Sequence, residues 1–69
     1  MRWERRRRGM YHGLSEQGLV LAQVAQVLGP DGHDEGWMVW LTHRPDAVFD
    51  RYATDEEAML AAEAALNDD

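Results

Sequence analysis

Nucleophilic catalysis needs a hydroxyl or thiol held beside a base, and this chain offers few candidates. Ser15, Thr42 and Thr54 are its only hydroxyls besides Tyr11 and Tyr52, and cysteine is absent. Thr54 has a structural use, described below. His12, His33 and His43 are scattered, with no spacing that implies a dyad. The adjacent carboxylates Asp55 and Glu56 fall at an exposed helix start, where burial is not expected to raise a carboxyl pKa for acid–base work. No glycine-rich loop runs into a lysine, and the chain has no lysine. His33, Asp34 and Glu35 are metal-ligand types, but neighbouring side chains of one loop rarely converge on a single ion. The expectation is a protein that is no enzyme and carries no cofactor or metal.

What remains is charge. Residues 1–13 carry five arginines against Glu4, a balance of +4, while residues 14–69 carry Arg44 and Arg51 against twelve carboxylates, a balance of −10. An acidic body repels nucleic-acid phosphates and is steered towards basic grooves, so the expected partner is a protein with a basic nucleic-acid-binding surface. The run Arg5–Arg8 allows a second reading, a phosphate-binding arm. No aromatic stacking set or second basic cluster accompanies it, which favours a solvated, charged edge.

Sixty-nine residues suffice for one domain, 1–69, that buries about 60% of the surface its unfolded chain exposes. Without cysteine there is no disulfide framework, which suits a reducing compartment. The arginines near the start are followed by no apolar leader segment, and no apolar run approaches the roughly 18 residues of a membrane span. The cytoplasm of a bacterial host cell is the expected location.

The elements that must carry the charges follow from pattern. Residues 1–13 read as an Arg-rich edge segment, its arginines discouraging pairing with other chains. Gly13–Gly18 is turn-like. Segment 18–28 places Val20, Ala22, Val24 and Leu28 on one strand face; a helix capped by Ser15 and stopped at Gly29-Pro30 is the alternative, and the valines favour the strand. Pro30–Gly36 reads as a hairpin loop. Residues 37–43 alternate Trp37, Val39, Leu41 against Met38, Trp40, Thr42, a strand apolar on both faces. Arg44-Pro45-Asp46 is expected to turn the chain so that 47–52 returns antiparallel.

Thr54 then opens a helix over 55–67. Its hydroxyl is placed to accept from the amide of Glu57, whose carboxylate reaches back to the amide of Thr54 in a capping box; Asp55, Glu56 and Glu57 complement the positive end of the helix dipole. Ala58, Met59, Ala61, Ala62, Ala65 and Leu66 form the core face, leaving Leu60 outside between Glu56 and Glu63. The fold class is α+β: an antiparallel β-meander of three to four strands with one C-terminal helix packed on one face. One helix cannot cover two apolar sheet faces, so Met38 and Trp40 are expected on an open side, in a monomer or a homodimer.

Gly18-Leu-Val-Leu-Ala-Gln-Val24, Trp37-Met-Val-Trp40 and Phe49-Asp-Arg-Tyr-Ala-Thr-Asp-Glu-Glu-Ala58 together look like small single-domain proteins of phages and mobile elements. In size, charge and layout the chain is similar to the anti-CRISPR proteins. The resemblance implies an inhibitor of a type I CRISPR-Cas effector, Cascade, that mimics double-stranded DNA and blocks DNA or PAM binding. The residues suited to that contact are Asp31, Asp34, Glu35, Asp46, Asp50, Asp55, Glu56, Glu57, Leu60 and Glu63; taken singly, each also reads as solvated surface. Alternatives are a nucleic-acid-binding accessory protein using Arg5–Arg8, or a small dimerising phage protein. The order of elements also resembles part of a double-stranded-RNA-binding domain. Such domains grip phosphate with a basic helix N-terminus, whereas this helix opens Asp55-Glu56-Glu57.

Overall fold

The strand pattern of the sequence resolves into five antiparallel strands and a helix in a computed structural model, which describes residues 1–67, with residues 45–50 described by backbone alone. The elements are β1 (Arg2–Arg7), β2 (Met10–Leu14), β3 (Val20–Leu28), β4 (Asp34–Leu41), β5 (Arg44–Tyr52) and α1 (Asp55–Asn67). The strands lie in chain order, each paired with its sequence neighbour. The α+β class, the meander and the C-terminal helix are as expected, and of the segment 18–28 the part Val20–Leu28 is a strand.

The sheet has one strand more than expected, because the first thirteen residues are not a single edge segment. They fold back at Arg8-Gly9, where Gly9 takes φ +80, a backbone angle that other residues reach only at a cost. The turn-like region shrinks to Ser15–Leu19, since Gly13 and Leu14 belong to β2. Within that turn the Ser15 hydroxyl accepts from the amides of Gln17 and Leu19, a structural use for the chain's only serine.

Two other boundaries move. β4 begins at Asp34, which pairs with Leu28, so the loop is shorter than Pro30–Gly36. The next reversal occurs at Thr42-His43 and not at Arg44-Pro45-Asp46: Leu41 pairs with Arg44, and the ladder resumes with Trp40 against Val48. Three extra residues, 45–47, therefore break register inside β5. Proline has no amide to give a ladder, and an edge strand is where a sheet tolerates it.

Register assigns the faces. Trp3, Gly13, Ala22 and Leu41 form one cross-strand row, and Arg5, Tyr11, Val24 and Val39 the next. These rows lie under α1. Ala22, Val24 and Val39 are fully buried with Ala58 and Ala62 of the helix, and Leu41 is nearly so. Alanines on the helix let it approach β3 and β4 closely, while Trp3, Tyr11, Trp37 and Tyr52 pack around the margin. Gly13 lets its neighbours lie close: a Cβ there would stand 2.7 Å from the Met1 sulfur and 3.1 Å from the Trp3 ring, so both side chains would have to shift.

Candidate acidic interface

The helix start is built as its sequence requires, with one change. The Thr54 hydroxyl accepts from the Glu57 amide at 3.2 Å, and the Glu57 carboxylate reaches back to the amide of Ala53, also at 3.2 Å, rather than to that of Thr54. The extra residue of reach suits a chain that arrives extended from β5 before it coils. Asp55 sits half-buried and accepts from the Tyr11 hydroxyl at 3.1 Å. The phenol is pushed above its ordinary value by burial first and then by the bond and charge of Asp55, while Arg5 pulls the other way. Arg5 and Asp55 thus flank the same ring. The ring also packs at 5.9 Å from Trp37, tilted by 46°.

Antiparallel pairing decides which carboxylates meet. Trp37 pairs with Tyr52, so the start of β4 lies beside the end of β5, and the β3–β4 loop shares one end of the sheet with the N-terminus of α1. Gly36 marks the closest approach, with φ +103 and a Cβ that would stand 2.9 Å from the Tyr52 carbonyl oxygen. Asp31, Asp34, Glu35, Asp55, Glu56 and Glu57 therefore collect at this end. Asp46 belongs to the opposite end, beside the Thr42-His43 reversal; Glu63 lies late in α1, against a recess shared with Met1, Leu21, Leu66 and Asn67. Leu60 is 67% exposed on the outer side of the helix, between Glu56 and Glu63. Asp50 is placed by its backbone in β5, and its side chain lies outside the described residues.

Not all of this charge faces outward unopposed. Arg51 reaches Glu35 at 3.4 Å. The His33 ring and amide both meet the Asp31 carboxylate, and those hydrogen bonds hold its pKa below the ordinary range. The other acceptors of this end engage neutral donors: the Asp34 carboxylate takes the Gly36 amide at 2.8 Å, Asp55 the Tyr11 hydroxyl, and Glu57 the Ala53 amide. A neutral N–H or O–H leaves the negative charge in place. Among the described residues Asp34, Asp55, Glu56 and Glu57 make no ion pair, although Arg5 acts on the Tyr11 ring that Asp55 meets.

The arginine segment approaches the same end from the other edge. Arg8 shares a surface recess with Gln26, Leu28, Gly32 and Asp34. Glu4 pairs with Arg2 and Arg6, whereas no described carboxylate pairs with Arg5, Arg7 or Arg8. Sequence reasoning missed this juxtaposition and the Tyr11–Asp55 bond, which joins residues 44 apart. No local signal carries either. Among the described residues, no group of three or more His, Asp or Glu side chains is placed to hold a metal ion. Nor is any described helix long and apolar enough to cross a membrane. No family model, curated protein or solved structure matches the chain.

Proposed function

We propose that the chain works by binding and not by catalysis, as an anti-CRISPR-type inhibitor. Its acidic end would occupy the basic surface that a type I CRISPR-Cas effector keeps for double-stranded DNA or its PAM. The observation that carries this reading is the gathering of Asp34 with the distant run Asp55, Glu56 and Glu57 at one end of the sheet, none of them in an ion pair among the described residues. The carboxylates of Asp34, Asp55 and Glu57, held by neutral donors on strand and helix ends, are fixed in position, as a surface competing with phosphates for arginine and lysine must be. The proposed footprint is these four residues, with Leu60 at its border; Asp46 and Glu63 are too far along the molecule to belong to it.

The test is competition for the effector complex between this protein and labelled duplex DNA. The double substitution Asp34→Asn with Glu56→Gln keeps every acceptor oxygen needed for folding and removes two charges. Inhibition is expected to weaken about tenfold or more, while replacing Arg7 and Arg8 with alanine leaves it unchanged. Loss confined to the arginine variant would defeat the reading.

Arg5 and Arg7 on the edge strand and Arg8 in the turn after it, all exposed and without a described carboxylate partner, support a second reading, a nucleic-acid-binding accessory protein. Direct, salt-sensitive binding of duplex by the protein alone, abolished in the arginine variant, would favour it.

A further inference from the structure

The side of the sheet away from α1 has a composition of its own. Its two central rows run Glu4, His12, Gln23, Trp40, Val48 and Arg7, Met10, Ala25, Met38. Met10, Gln23, Ala25 and Trp40 line an open depression there, and the Gln23 amide points to the Met10 sulfur at 3.7 Å. The helix packs against β3, β4 and β5 from the other side, and the middle of this face holds no charged residue. We propose that it is covered by the same face of a second copy of the chain, with the two-fold axis running along β3. This goes beyond the inhibitory role proposed above and does not depend on it.

Charge chooses the partner and the axis. Residues 1–14, which form β1 and β2, balance at +4, and residues 34–52, which form β4 and β5, balance at −2, the helix carboxylates being on the other side of the sheet. Rotation about an axis along the central strand lays the basic half of each copy over the acidic half of the other. Rotation about the in-plane axis across the strands would lay arginines on arginines.

Side-by-side pairing of edges is a poorer alternative. Two β1 edges would bring their arginine runs together, and β5 carries Pro45 and breaks register at 45–47. The area is sufficient: five strands span about 20 Å, and strands of this length about 25 Å. Mutual covering then removes on the order of 1,000 Å² in total, which meets the lower range of specific interfaces.

Sedimentation equilibrium of the full chain is expected to give twice the 7.9 kDa chain mass. Trp40→Glu should raise the dimer dissociation constant about thirtyfold or more, with Leu60→Glu without effect; circular dichroism reports whether each variant is folded. Because the chain has no cysteine, Ala25→Cys supplies a second readout. Its thiol should alkylate more slowly as chain concentration rises, whereas the thiol of Leu60→Cys should react at a constant rate. If Trp40→Glu fails to fold, the thiol rates and Met38→Lys decide. A monomer at all concentrations, or a dimer insensitive to Trp40 and Met38 whose Ala25→Cys thiol is never protected, overturns the proposal.

Discussion

Two neighbours in β4, Leu41 and Trp40, put the two faces of the sheet side by side. Leu41 faces α1 and is 1% exposed; Trp40, larger and no less apolar, is only half-buried because no described element lies over it. One strand with apolar residues on both sides therefore serves two environments, and sequence composition does not distinguish them. The difference lies in the supply of covering surface. Alanines at 58 and 62 let one helix seat tightly on Val24, Val39 and Leu41, and the described residues form no second helix for the other side. Burial on the closed face stabilises the monomer, whereas apolar area on the open face contributes only when something outside the chain meets it.

The sharpest way to break this contrast is Leu41→Ala, expected to cost about 3 kcal/mol in urea denaturation at any protein concentration. Trp40→Ala should cost less in dilute solution, and its effect should grow with concentration. If the two substitutions were equal and independent of concentration, the open face would be part of the monomer's core. Next, Gly36→Ala combines a disfavoured backbone angle with a Cβ set against the Tyr52 carbonyl; a loss of about 2 kcal/mol is expected on the same scale. Thr54→Ala removes the acceptor for the Glu57 amide and should cost about 1 kcal/mol, read as a lowered melting temperature.

A pH titration sharpens the comparison at the margin of the closed face. The Tyr11 phenol is raised in the folded chain, so its contribution is fully present below the ordinary tyrosine value of about 10. It is lost as pH climbs through the raised value, where a phenolate would face Asp55. Tyr11→Phe should flatten that alkaline fall in stability. Smallest of all, Leu60→Ala on the exposed side of α1 should change stability by no more than about 0.5 kcal/mol.

The class of fold, the strand Val20–Leu28 within the segment 18–28 and the helix over 55–67 were legible because apolar period and capping chemistry agree there. Val20, Ala22 and Val24 alternate, and Thr54 and Glu57 flank the start of an alanine-rich stripe. β2 was not legible: Met10–Leu14 is short, contains a glycine and follows an arginine run that hides the Arg8-Gly9 turn. Pro45-Asp46 carries strong turn chemistry yet lies in a strand, because an edge that breaks register can absorb it. Of the acidic set, the helix cluster could be placed from local pattern. Its union with Asp34, and the separation of Asp46 and Glu63 from it, depend on strand register, which no local signal gives.

Each strand of this sheet lies beside the one made just before it, so most of the loops that must close are short and entropically inexpensive. A chain so wired should assemble rapidly for a sheet protein, hairpin upon hairpin. The tether from Tyr11 to Asp55 spans 44 positions and can form only after the helix has docked. Deleting that hydroxyl should accordingly hasten unfolding while leaving the refolding rate nearly untouched.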